Sequence, residues 1–229
     1  MTDKTDSMTK WLETRKAFPW NEREILRYLG YRGQEPEENV KKLIHECRLE
    51  LEREANPKAV WREFPLTIRD HVLDMTCLKT CSRSLERNLK DCESVLLFGA
   101  TLGSGVDVLL RRYGRLQMSK AVVLQASSVA MLETWCDWQN EVLSREYQEK
   151  GWYMRPRFSP GYGDFPLECQ RKLSGALELG KRIGVTLTDS LLMVPSKSVT
   201  AVMGLSRKPW TCIVQGCEAC GKKDCQYRR

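Results

Sequence analysis

Histidine is almost missing from this chain: His45 and His71 are the only two in 229 residues. A histidine-rich zinc centre is therefore out of reach. Neither residue is accompanied by a G-x-S-x-G or reactive-cysteine motif, so a hydrolase triad is disfavoured. His71 follows Asp70, yet sequence neighbours rarely face each other usefully, and both histidines read as structural. Long apolar runs are missing too. Val95–Phe98 and Ala121–Leu124 are far too short to span a bilayer. Met1 to Lys10 is polar, with no apolar stretch of the kind a secretory signal needs, and this leads us to expect a cytoplasmic protein with no membrane partner. Charge of one sign is not concentrated either. The net +7 comes from 37 basic and 30 acidic residues mixed along the chain. Only Arg111-Arg112 with Arg115, Lys222-Lys223 and Arg228-Arg229 cluster, and each reads as solvated surface, so no nucleic-acid partner is expected. Neither an internal repeat nor a low-complexity segment occurs.

Cysteine, by contrast, is plentiful, with ten residues. A reducing compartment argues for thiols or metal ligands over disulfides. Cys47, Cys77, Cys81, Cys92, Cys136 and Cys169 are scattered through periodic segments and read as small, mostly buried apolar side chains. Cys212, Cys217, Cys220 and Cys225 form C-x4-C-x2-C-x4-C, with Gly216 and Gly221 for tight turns. Four thiolates at that spacing suit either tetrahedral zinc or an iron–sulfur cluster. A low-pKa thiol pair beside Lys222 and Lys223 is the alternative.

Periodicity predicts the elements. Asn21 and Glu24 make a capping box for a helix to Leu29, ended by Gly30. Glu35 to Ala55 carries Val40, Leu43, Ile44, Cys47 and Leu51 on one stripe and stops at Asn56-Pro57. Val60 to Ile68 is β-prone, and Leu78 to Leu89 returns to helical spacing. Ser94 to Gly99 reads as a buried strand, followed by Ala100-Thr101-Leu102-Gly103-Ser104-Gly105 and a helix with Val106, Leu109, Leu110 and Tyr113 inward. That turn is neither a Walker A motif nor a Rossmann fingerprint, and it predicts close strand–helix packing. Met118 to Glu149 is a very long helix with the small residues Ala126, Ser127 and Ser128 on it. Pro166 to Ile183 reads as one helix, with Gly184 past its end. Thr186 to Val194, Val199 to Leu205 and Trp210 to Val214 are β-prone. The fold class is α+β: a twisted, largely antiparallel sheet of three to five strands packed with long helices. The expected organisation is a helical region over residues 1–80, a core over 81–211 and a cysteine-rich tail over 212–229.

Between two helical patterns lies Arg157-Phe158-Ser159-Pro160-Gly161-Tyr162-Gly163-Asp164-Phe165-Pro166. Prolines remove donors and fix φ, while glycines permit φ > 0 and close backbone approach, so this is a stiff, shaped loop. Such loops on a rigid scaffold often carry function.

From about Leu85 to Thr211 the chain resembles the activation domain of vitamin B12-dependent methionine synthase. The resemblance rests on Leu97-Phe98-Gly99-Ala100-Thr101-Leu102-Gly103 with Val106-Asp107, on the long helix with Ala126-Ser127-Ser128, and on the Arg157–Pro166 loop. It continues through Ile183-Gly184-Val185-Thr186-Leu187-Thr188-Asp189-Ser190 to Met193, Pro195 and Ser198-Val199. In that family the loop reads R-x-x-x-G-Y and binds S-adenosylmethionine. The resemblance implies that Arg157 holds the methionine carboxylate and that Ser159, Gly161 and Tyr162 contact the cofactor. Trp210 would stand where a tyrosine is common near it. A planar guanidinium grips a carboxylate bidentately, glycine lets backbone approach, and an aromatic ring stacks on adenine or faces a sulfonium.

The implied role is repair: reductive methylation of cob(II)alamin to methylcobalamin in methionine biosynthesis, with S-adenosylmethionine as methyl source and flavodoxin or ferredoxin as electron donor. The protein would be an accessory to a methyltransferase, not itself a bearer of catalytic residues. The sequence shows no folate- or cobalamin-binding module, so the expectation is a free-standing form acting in trans, with cobalamin held by methionine synthase or another corrinoid protein. The competing expectation is a metal-tail interaction or electron-transfer accessory for another corrinoid methyltransferase.

Overall fold

The computed structural model describes residues 19–31 and 34–209. Helices α1 (Glu22–Tyr28) and α2 (Glu38–Glu54) come first, then strands β1 (Lys58–Pro65), β2 (Thr67–Arg69), β3 (Val72–Asp74) and β4 (Lys79–Cys81). Helix α3 (Arg83–Asn88), strand β5 (Ser94–Thr101) and helices α4 (Ser104–Leu116) and α5 (Met118–Gln148) follow. The chain closes with β6 (Tyr153–Met154), α6 (Cys169–Leu177), α7 (Leu179–Arg182), β7 (Thr186–Leu187), β8 (Met193–Val194) and β9 (Ser198–Ser206).

The main sheet has the order β1-β5-β9-β6, and every pairing in it is antiparallel. β5 is central, and all eight of its residues are buried. The uninterrupted apolar run Val95–Ala100 within it is what a sheet covered on both faces requires. Alternation along β5 divides the core in two. Leu96, Phe98 and Ala100 join Met203 and Leu205 beneath α1, α2, α4 and α5. Val95 and Leu97 join Val60 and Val202 against the β2-β3-β4 sheet, α6 and α7.

The N-cap of α1 forms as the sequence implies. The Asn21 side chain accepts the Glu24 N–H at 3.3 Å. α5 packs along α1, α2 and α4, and its buried Lys120 ties it to α2 by reaching Glu46 at 3.0 Å and Glu50 at 2.8 Å. The Gly-rich turn after β5 serves a different contact from the strand–helix packing expected. A Cβ on Gly105 would overlap the backbone carbonyl of Glu54, so this glycine lets α4 meet the end of α2.

Three expectations are corrected. Leu78 to Leu89 is not one helix. Lys79–Cys81 pairs with β3, and Ser82 then caps the short α3 by accepting the Leu85 N–H at 3.0 Å. Pro166 to Ile183 is not one helix either. It breaks at Glu178, whose φ is 52°. Leu177 and Leu179 are both buried in the same core, and residues two apart in a continuous helix point to nearly opposite sides, so the break lets both reach the sheet. Gly99 leaves the room: a Cβ there would lie 2.6 Å from Leu179 Cδ2. Residues 58–80, placed in an N-terminal helical region, are largely strands, and β1 is part of the main sheet.

The cysteines also divide. Cys47, Cys136 and Cys169 are buried, Cys77 and Cys92 are half-buried, and Cys81 is exposed, contrary to the reading of it as a core residue. Burial pushes the Cys47 and Cys136 thiols up to about 12, so they remain protonated and inert at neutral pH. Cys212, Cys217, Cys220 and Cys225, Trp210 and the β-prone stretch 210–214 lie outside the described residues.

Candidate functional site

The segment after β6 runs along the edge of the main sheet before turning outward. Phe158 exchanges two main-chain hydrogen bonds with Val202 of β9, both 2.9 Å. Beyond it the loop is closed by its own backbone. Tyr162 N–H donates to Ser159 O at 3.2 Å, Phe165 N–H to Tyr162 O at 3.0 Å, and Gly161 N–H to Phe165 O at 2.9 Å. Gly161 takes φ 89°, a conformation that side chains disfavour. Phe165 is only 1% exposed, and its ring centroid lies 6.3 Å from that of Phe158, so the loop is nailed into the second core at both ends. Tyr162, at the tip, is 65% exposed.

Asp164 holds the loop from below. Its Oδ1 accepts the Ser82 hydroxyl at 2.6 Å and the Ser84 N–H at 3.0 Å, and its Oδ2 accepts the Arg83 N–H at 2.8 Å. The Ser82 hydroxyl foremost, and then these backbone donors, keep the carboxyl far below its usual range. Gly163 makes the approach feasible, since a Cβ on it would lie 2.6 Å from Ser84 Oγ.

Arg157 leans the other way, onto α5. Its Nη2 donates to Asp137 Oδ1 at 2.8 Å and to Glu133 Oε2 at 3.3 Å. Those two acids are four residues apart and so lie on one helix face. Nη1 is buried and meets no hydrogen-bond partner among the described residues. A buried donor left unmet is costly. One edge of the guanidinium is thus fixed by the protein while another N–H remains unclaimed.

Arg157, Ser159, Gly161 and Tyr162 lie in this one loop, with Arg157 turned onto α5 and Tyr162 exposed at the tip. Sequence reasoning missed Asp164, Glu133 and Asp137. Glu133 and Asp137 read as ordinary acidic positions on a helix, and no local pattern announces Asp164, whose partners lie 80 to 82 residues away. His71 pairs with Glu86, 3.0 Å from Nδ1 to Oε2, and not with Asp70. Among the described residues, no group of three or more histidine, cysteine or acidic side chains is placed to hold a metal ion. No helix among them is long and apolar enough to cross a membrane.

What fold and loop define together is an α+β domain with a candidate ligand site made of donors and an exposed aromatic. Residues 114–211 match the family model of the vitamin B12-dependent methionine synthase activation domain, and the resemblance carried by the sequence motifs is thereby shown over that stretch. A search of curated proteins returns no match. Among solved structures, the crystal structure of the MetH reactivation domain bound to AdoHcy is similar to this chain in fold, with a TM-score of 0.56 at 16% identity. The alignment covers 76% of this chain and 66% of that one. The mixed α+β architecture with antiparallel sheets and long helices is that of the reactivation domain.

Proposed function

We propose that this chain binds S-adenosylmethionine on the Arg157–Tyr162 loop and serves in trans as a reactivation factor for cob(II)alamin-bound methionine synthase or another corrinoid protein. The observation that carries the reading is the buried, unmet Nη1 of Arg157 in the loop that presents Tyr162. Glu133 and Asp137 orient the guanidinium, leaving Nη1 for a carboxylate. Ser159 and Gly161 keep the loop free of bulk, and the Tyr162 ring offers a surface for an adenine or a sulfonium. When bound, S-adenosylmethionine supplies an electrophilic methyl group. The chain's own task is then binding and orientation, since the cobalt chemistry belongs to the cobalamin of the partner. Flavodoxin or ferredoxin would supply the electron.

Calorimetric titration with S-adenosylmethionine tests the binding. Saturable heat is expected from the parent protein, and its absence would overturn the reading. The role in trans is tested by mixing this protein, a cob(II)alamin-loaded methionine synthase core, a reductant and methyl-labelled S-adenosylmethionine. Label should reach cobalamin only when all four are present.

The C-x4-C-x2-C-x4-C spacing of Cys212, Cys217, Cys220 and Cys225 supports a second reading, a metal-tail accessory in electron transfer for another corrinoid methyltransferase. That reading expects no heat with S-adenosylmethionine.

A further inference from the structure

An open groove of about 550 Å³ lies over α3, lined by Ile68, His71, Arg83, Glu86, Arg87, Lys90 and Asp91. Its charges are unevenly committed. Glu86 is taken by His71 at 3.0 Å, and Asp91 by Lys208 at 3.3 Å. Arg83, Arg87 and Lys90 are exposed and form no ion pair among the described residues. Arg83 and Arg87 are four residues apart on one face of α3, and Lys90 follows at its end. The groove therefore carries three cations outside any ion pair beside the apolar Ile68, and its lining stays net positive against Glu86 and Asp91.

The same segment that bears the candidate site clamps α3 at both ends. Asp164 caps its beginning through Ser82, Arg83 and Ser84. Arg155 Nη2 donates to the Lys90 carbonyl just past its end at 3.0 Å, while the Arg155 N–H is held by Gly204 O at 2.7 Å. A body resting on α3 thus sits next to the root and the far end of the Arg157–Tyr162 loop.

We propose that this groove is the docking surface for an acidic protein, and that the protein is the electron donor. The donor role rests on the function proposed above, whereas the docking itself does not. Charge complementarity selects the occupant: clustered carboxylates on a protein surface would pair with Arg83, Arg87 and Lys90, and such pairing chiefly raises on-rate and selects partners. The chain's own ends do not fit. The tail carries Lys222, Lys223, Arg228 and Arg229 against Glu218 and Asp224, and residues 1–18 carry Lys4, Lys10, Arg15 and Lys16 against Asp3, Asp6 and Glu13. Both segments are net positive. The groove is shallow and its cations are spread from the start of α3 to just past its end, which suits an extended surface better than one small anion.

The test measures association of the full-length protein with a flavodoxin, used as the acidic probe, by stopped flow at several salt concentrations. R83E/R87E/K90E should lower the association rate at low salt by about tenfold or more and flatten its salt dependence. R83Q/R87Q/K90Q should give a smaller loss of the same kind, which covers the case of a misfolded reversal variant. R111E/R112E/R115E, on the separate basic cluster of α4, should dock like the parent. Unchanged association in both groove variants would overturn the proposal, as would loss confined to the α4 variant. So would a parent protein that ignores flavodoxin but binds inorganic triphosphate in a manner the groove variants lose. Titration with S-adenosylmethionine separates the two readings. Groove-dependent docking without that heat leaves this surface standing and removes the proposed cofactor site.

Discussion

Arg157 and Asp137 are joined by a 2.8 Å hydrogen bond from the loop to α5, made by the same nitrogen that contacts Glu133. The bond fixes the guanidinium plane, and so it also fixes where Nη1 points. If that nitrogen binds the carboxylate of S-adenosylmethionine, Arg157→Ala should weaken binding by about 2–5 kcal/mol, as truncating one partner of a buried charged pair does. Arg157→Lys should not restore it, because an ammonium is a point charge without the planar fork. Asp137→Asn should weaken binding less, by loosening the orientation. Calorimetry reads all three, and parent-like affinity in Arg157→Ala would remove the assignment.

Asp164 should make the protein acid-sensitive. Its carboxyl is held well below its usual range, with the Ser82 hydroxyl as the largest cause. A depressed folded-state value stabilises the fold fully above the unfolded value, about 3.9 for an aspartate. That stabilisation drains away as pH falls from there through the folded value. Thermal melts of Asp164→Asn should therefore lose part of the parent's acid dependence below about pH 5. Parallel acid limbs for the two proteins would show that the cap contributes no linkage.

Two glycines of α4 should respond in opposite ways to alanine. A Cβ at Gly105 collides with the Glu54 carbonyl, whereas one at Gly114 meets nothing within 4 Å. Gly105→Ala should destabilise by about 1–3 kcal/mol, the usual cost of overpacking. Gly114→Ala should stabilise by roughly 0.5–1 kcal/mol through helix propensity. Denaturant midpoints distinguish them, and equal shifts would contradict the close α2–α4 contact.

Cys212, Cys217, Cys220 and Cys225 should together hold one zinc ion or one iron–sulfur cluster. Elemental analysis and the absorbance spectrum of anaerobically purified protein decide between them. Replacing Cys217 and Cys220 by serine should abolish the bound metal. Neither zinc nor iron at meaningful stoichiometry would leave four free thiols.

Much of the fold was legible because it follows from local rules. The Asn21 cap, the stripe through Ile44, Cys47 and Leu51, the apolar run Val95–Ala100 within β5 and the 31-residue α5 all announce themselves within a few residues. The Arg157–Pro166 stretch is legible in the same way, since its glycines and prolines permit little but a shaped loop. The α3 region misled because Leu78, Cys81, Leu85 and Leu89 keep helical spacing while pairing with β3 claims Lys79–Cys81.

The sequence by itself determined most of the helical and extended segments, their apolar faces, and that a stiff loop interrupts the helices. Tertiary structure decided the break at Glu178, where a left-handed residue lets Leu177 and Leu179 both face the sheet. It also decided that Arg157 leans on Glu133 and Asp137, and that Asp164 caps a helix 80 residues earlier in the chain. Local propensity and periodicity act over a turn or a strand. These contacts depend on which surfaces the packed sheet brings together, and no spacing along the chain encodes that.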